Sequence, residues 1–189
     1  MDAIALLIAD HNRVRGLIAR YKEAQEADNT EESAALAAEM FTELDIHMAA
    51  EEKVFYRAVK ERSEEISSDV DEGFEEHHVA KILIDEIESL DAGSDPWVAK
   101  MTVLIENVEH HVDEEEEDLF PTVRSSTDAE WRRELGERLE AEETDLGAPP
   151  LGERMALSKT ELVEKARRQQ IPGRSGMDHD ELAATVSPK

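Results

Sequence analysis

Apolar residues recur at three- and four-residue spacing in four long stretches of this chain, the signature of amphipathic helices. The first stretch, residues 2–27, places Ile4, Leu7, Ile8, His11, Val14 and Ile18 on one stripe. Asp28-Asn29-Thr30-Glu31-Glu32 then supplies a break and the next N-cap. The second stretch, 31–62, aligns Met40, Leu44, His47, Glu51, Val54 and Phe55. The third, 66–91, aligns Val70, Phe74, His77, Ala80, Ile84 and Ile87. The run 91–96 closes it and opens the fourth stretch, 96–120, with Pro96 suited to an early helical position. There Met101, Leu104, Val108, His111, Glu115 and Leu119 share a face, and Pro121 is expected to end or disrupt the helix. A shorter helix over 127–143 carries Trp131, Leu135 and Leu139. No segment shows sustained strand alternation. Long helices joined by short connections favour antiparallel neighbours, so the expected fold is all-α, an up-down four-helix bundle with one extra helix.

The bundle is expected to occupy residues 1–145. Residues 146–154 read as a linker, built on Leu-Gly-Ala-Pro-Pro-Leu-Gly. Residues 155–189 read as a small separate unit, with short helices over 158–169 and 178–185 about a tight turn at Ile-Pro-Gly-Arg-Ser-Gly.

The stripes are not purely apolar. His47 and Glu51 lie four residues apart, as do His111 and Glu115, so each pair shares a helix face. The chain also repeats itself. His47-Met-Ala-Ala-Glu51 followed by Phe55-Tyr56 parallels His111-Val-Asp-Glu-Glu115 followed by Leu119-Phe120, and Asp10-His11 parallels Glu76-His77. The separations agree, 36 residues from His11 to His47 and 34 from His77 to His111. Two helix hairpins, each with a lone histidine and a His-x-x-x-Glu, make a pseudo-twofold object. Four histidines and two glutamates on apolar faces need a common partner. Mutual hydrogen bonding is one answer. Metal ions are a better one, because they satisfy imidazole nitrogen and carboxylate oxygen together. The stripes favour His77 over His78 and His111 over His110 as the inward residues. Asp10 and Glu76, each preceding a site histidine, are either acceptors that orient imidazoles or solvent-facing helix residues.

Charge and composition narrow the field. The net charge is −26, from 47 acidic and 21 basic residues, a balance that repels nucleic acid and anionic membranes. It is uneven: residues 155–189 carry +1, which leaves −27 on 1–154. No cysteine is present, which removes disulfides, thiolate metal sites and cysteine nucleophiles. Aromatics make up 4%, so the core must rest on aliphatic residues and methionine. The first apolar run is interrupted by Asp10 and His11 and lacks a basic start, so it reads as a helix and not as a signal peptide or anchor. A cytoplasmic location is the expectation.

The blocks Asp10-His11, His47-x-x-x-Glu51-Glu52, Glu76-His77 and Glu109-x-His111-x-x-x-Glu115-Glu116, the last followed by Leu-Phe-Pro, resemble the hemerythrin/HHE cation-binding domain over about residues 1–145. The resemblance implies a non-haem di-iron centre. His11, His47, Glu51, His77, His111 and Glu115 would be the metal ligands, with both glutamates bridging two irons that also share an oxo or hydroxo group. It further implies chemistry on dioxygen, hydrogen peroxide or nitric oxide, or the sensing of iron and oxygen. The chain departs from oxygen-carrying hemerythrins, which have a further histidine on the third helix. The neighbours of His77 at −4 and +4 are Gly73 and Lys81, and neither fits that role. Fewer protein donors leave more open positions, which favours reaction, such as catalase-like peroxide decomposition, over reversible carriage. Some relatives have a tyrosine near the second-helix motif. Tyr56, five residues beyond Glu51, falls off the α-helical face that Phe55 occupies.

The segment Ser158 to Leu182 resembles the small helix-turn-helix unit at the N-terminus of the Rho termination factor, related to SAP motifs. That resemblance implies nucleic-acid binding through Lys165, Arg167, Arg168 and Arg174, although a charge of +1 offers few phosphate contacts. A docking or stabilising appendage is the alternative. In a second functional reading the bundle senses oxygen, iron or nitric oxide, and the tail contacts nucleic acid or a protein.

Overall fold

The computed structural model of the protein describes residues 1–62 and 66–149. Among these there is no strand, and the chain runs as α1 (Ala3–Glu26), α2 (Thr30–Ala50), a π-helical turn (Glu51–Phe55), α3 (Tyr56–Lys60), α4 (Ser67–Glu88), α5 (Asp95–Glu114), a second π turn (Glu115–Leu119), α6 (Phe120–Ser126) and α7 (Ala129–Asp145). The π turns continue their helices, so α2–α3 and α5–α6 are each one long rod, and with α1 and α4 they form the expected four-helix bundle.

The helix starts follow side-chain caps. Asp2 accepts from the Ile4 amide, Asn29 from Glu32, Ser94 from Trp97 and Asp128 from Trp131. Asp28 turns the chain between α1 and α2 with φ +52°, a conformation that aspartate tolerates better than most residues. Pro96 lies in the first turn of α5, as expected. Pro121 does not end the fourth rod, which runs on to Ser126. Proline normally breaks a helix by deleting one N–H and pressing on the preceding turn. Here it falls in the first turn after a π turn, where the hydrogen-bond ladder is already changing register and a missing donor costs less.

Two apolar clusters fill the bundle. Val14, Ile18, Met40, Leu44, Ile84, Met101, Leu104 and Val108 belong to the first. Ile4, Leu7, Phe55, Val59, Val70, Phe120 and Val123 belong to the second, which Leu135 and Leu139 of α7 complete. The helix α7 comes close enough to α1 that a Cβ on Gly136 would lie 2.1 Å from the Met1 carbonyl oxygen, so only glycine fits there. Along the helices that contribute to both clusters, the polar stripe residues fall between the two. No described helix is long and apolar enough to cross a membrane. The separate unit expected over 155–189 lies outside the described residues.

Candidate metal centre

All six stripe residues converge in the middle of the bundle, each no more than 6% exposed. Their ligand atoms form two triplets, His11 with His47 and Glu115, and His77 with His111 and Glu51; within each triplet the atoms lie within 4.8 Å of one another. Each triplet takes its two histidines from one hairpin and its carboxylate from the other. Glu51 Oε2 lies 3.3 Å from His47 Nε2 and 3.5 Å from His77 Nε2. Glu115 Oε2 lies 3.2 Å from His11 Nε2 and 3.7 Å from His111 Nε2. Each glutamate therefore spans both hairpins. His78 and His110 are exposed, so the stripes chose the inward residue of each pair correctly.

The imidazoles are held from behind. Nδ1–H of His11 donates to Glu116 at 2.9 Å, that of His77 to Glu52 at 3.1 Å and that of His111 to Glu76 at 2.7 Å. A carboxylate only accepts, so it fixes the proton on Nδ1 and leaves Nε2 as a bare lone pair aimed inward. Two such lone pairs, on His77 and His111, face each other at 3.0 Å. Neutral imidazoles in that arrangement repel unless a cation lies between or beside them. His11 Nε2, Glu115 Oε2 and both oxygens of Glu51 are buried without a hydrogen-bond partner. A converging set of imidazole nitrogens and carboxylate oxygens, several of them without a partner, fits a transition-metal cation.

The orienting carboxylates are anchored in turn. Arg15 holds Glu116 at 2.7 Å, and Lys81 holds Glu52 at 2.6 Å. Both cations sit four residues beyond the lone histidine of their hairpin. In the sequence Lys81 is legible only as a position unsuited to a ligand, and Glu52 and Glu116 only as members of the repeated blocks. The i, i+4 cation in both repeats was the available signal. Glu76 takes the orienting role offered as one of its alternatives. Asp10, its counterpart, is buried, and its charge is the strongest influence favouring protonated His47.

Electrostatics follow from burial against these partners. Burial pushes His47 below the ordinary histidine value and His77 down to about 4. Burial acts likewise on His11 and His111, but carboxylates outweigh it and raise both: Glu115 and Glu116 for His11, Glu115 and Glu76 for His111. Burial, followed by the charge of Glu115, drives Glu51 well above the carboxylate range. Glu115 is buried too, but His111 and His11 hold it below that range. The hydrogen bond from His77, aided by Lys81, holds Glu52 down to about 2.

The π turns begin at the two glutamates and change what faces the site. In a plain α-helix Phe55 would face inward and Tyr56 would not. The inserted residue brings both in, and both are fully buried. Tyr56 stacks on His77 at 5.4 Å and donates its hydroxyl to Glu115 Oε1 at 2.8 Å. This corrects the expectation that Tyr56 lies off the face. In the second repeat Phe120 takes the same place, stacked on His11 at 5.7 Å. Paired apolar residues at +4 and +5 after each glutamate were the sequence trace of the extra residue. The twofold symmetry thus breaks at one hydroxyl.

It breaks again behind the tyrosine. A Cβ on Gly73 would come within 2.6 Å of the Tyr56 hydroxyl, so the glycine makes room for the phenol. The equivalent residue in α1 is Leu7, fully buried in the same cluster as Phe120. A cavity of about 360 Å³ opens on the Gly73 side and reaches Tyr56, His111 and Glu115. Gly73→Ala is expected to cost roughly 1–3 kcal/mol by overpacking, read by thermal melting of the metal-loaded protein, because Phe74 and His77 flank the ring. Unchanged stability would mean that the ring swings freely into the cavity.

The sequence comparisons agree with this geometry. The hemerythrin HHE cation binding domain matches residues 2–123. An uncharacterized protein of Mycobacterium tuberculosis is 30% identical over 173 residues, 87% of this chain and 99% of the relative, and one from Mycobacterium bovis matches equally. A DNA nickase of Nostoc is 27% identical over 121 residues, 64% of this chain and 33% of that protein. No solved structure matches.

Proposed function

Because this chain belongs to the hemerythrin HHE cation-binding family, we propose that its cations are two irons and that it uses them to decompose hydrogen peroxide, a catalase-like activity. His11, His47 and Glu115 would hold one iron, and His77, His111 and Glu51 the other, with each glutamate shared. When bound, two irons that change oxidation state together supply the electron pair that reduces one peroxide to water and is regained from the next, which leaves as dioxygen.

The observation that carries this reading is the polar cavity that reaches the site past Tyr56. The cavity reaches His111 and Glu115 past Gly73 and Tyr56, whereas Leu7 and Phe120 stand at the positions equivalent to Gly73 and Tyr56 in the other repeat. A reversible carrier needs a dry pocket, and this entrance is polar. Tyr56 stands at its inner end as a hydrogen-bond donor. Burial and then the charges of Glu51 and Glu115 push its phenol well above the ordinary value, so it keeps its proton. That proton is donated in a hydrogen bond to Glu115, so the phenol holds a carboxylate of the site at the inner end of the cavity.

The test is metal analysis of purified protein together with an oxygen electrode. About two irons per chain and one dioxygen released for every two peroxides consumed are expected. Iron binding without dioxygen release would remove the peroxide reading. The sensing reading predicts instead that binding of a nucleic acid or protein changes with iron loading.

A further inference from the structure

The two hairpins differ at one more place, on the same side as the cavity. Glu76, His110 and Glu114 each offer a ligand atom, and these atoms lie within 4.8 Å of one another. By the internal repeat, the counterparts of His110 and Glu114 in the first hairpin are Ile46 and Ala50, neither of which can hold a cation. Among the described residues, the cluster occurs on this side and has no counterpart in the first hairpin.

Its surroundings point inward. Glu76 and Glu114 line the cavity of about 360 Å³, and His111 and Glu115 line it as well. Glu115 is 4% exposed, and its Oε2 has no hydrogen-bond partner. Asp69, Glu72 and Asp118 add negative charge to the wall, and no Lys or Arg among the described residues lines it. A concave, single-sign surface focuses field and concentrates counter-ions. Glu76 belongs to both places: it holds Nδ1 of His111 at 2.7 Å and also faces His110 and Glu114.

We propose that Glu76, His110 and Glu114 form a third, outer cation site, where a divalent cation such as ferrous iron is captured on its way to the inner centre. The proposal rests on the inner six residues being a metal centre. Two carboxylates and one imidazole are a mixed set that suits first-row divalent ions. The side chains of His110 and Glu114 are 64% and 42% exposed, so water completes the coordination and the ion leaves easily. Weak, solvated binding beside a buried and unsatisfied carboxylate is what a transit site requires. Without such a site, an ion would have to shed its water in a single step on reaching the inner centre.

Two measurements on the full chain test this, with His110→Ala/Glu114→Gln as the variant and His78→Ala, another exposed histidine, as the control. Both are run at about 0.3 M salt to screen diffuse binding to the acidic surface. In the first, apoprotein is mixed anaerobically with limiting ferrous iron, and loading is stopped with a chelator. The double variant should load about tenfold more slowly to the same final iron content, while the control matches wild type. In the second, iron-loaded protein is titrated with Mn²⁺ and the free ion is read by electron paramagnetic resonance. Wild type should bind one Mn²⁺ more than the double variant. Equal Mn²⁺ uptake by the two would overturn the outer site, and equal loading rates would overturn its role in entry. If wild type takes up no iron at all, the inner-centre reading fails and the proposal fails with it.

Discussion

If the centre holds two metal ions as proposed, stripping them is expected to lower the thermal midpoint of the chain by about 15–30 °C. Each ion that binds only the folded state at a thousandfold excess over its dissociation constant adds roughly 4 kcal/mol. For a chain of this size, each kcal/mol moves the midpoint by about 2–4 °C. The structural reason lies in what the apoprotein must bury. Glu51 has two oxygens without partners, and it repels Glu115, which spans the same pair of hairpins. His77 and His111 bring their Nε2 atoms within 3.0 Å of each other, where one must hold a proton if no cation is present. Removing the cation leaves these groups in an apolar interior, where unpaired polar atoms are costly. Calorimetry of chelator-stripped and iron-loaded protein in one buffer measures the difference. Midpoints within a degree or two of each other would mean that the six groups satisfy one another by hydrogen bonding, the bland alternative to a metal centre.

The bundle itself was legible because helix periodicity is a local signal. The stripes through Ile4, Leu7 and His11, and through Met101, Leu104 and Val108, placed the helices, with limits within a few residues of those observed except at the end of the fourth, which runs past residue 120 to Ser126. The caps at Asn29 and Ser94 lay in plain turn chemistry. Pro121 misled because its usual cost was charged to an α-helix. Whether a π turn precedes a proline depends on what the inserted residue gains inside the bundle, and that gain belongs to tertiary packing.

The inner six residues were legible for the same reason. An i, i+4 pair on an apolar stripe, repeated once, points two ways only. What lay beyond them was not legible, because it depends on helices brought together across the bundle. Glu52 holds a histidine of α4, and Glu116 one of α1. No spacing rule on a single helix predicts such a contact. Tyr56 failed for a subtler reason. Its placement was judged at 3.6 residues per turn, and the first π turn shifts it by one residue. The glycine opposite it was seen only as an absent ligand, although its lack of a side chain is what admits the phenol.

Glutamates at the site should separate into two classes on substitution. Glu51→Ala and Glu115→Ala are each expected to leave the chain with almost no iron. Each carboxylate reaches a histidine of both hairpins, so its loss opens both triplets at once. Glu52→Ala and Glu116→Ala remove a hydrogen bond to one imidazole, which frees its ring to rotate and its proton to move to Nε2. Loss of such an orienting partner typically weakens metal binding by about 10–100-fold, so these variants should still fill at saturating iron. Glu52→Gln and Glu116→Gln should fall between Ala and wild type, since an amide oxygen still accepts from Nδ1 but gives up the charge held by Lys81 or Arg15. Elemental analysis at saturation distinguishes the classes, and competition with a chelator of known affinity ranks the orienting variants. Equal loss of iron in all four alanine variants would mean that Glu52 and Glu116 are themselves ligands, and the division between holding the metal and holding the histidines would have to be redrawn.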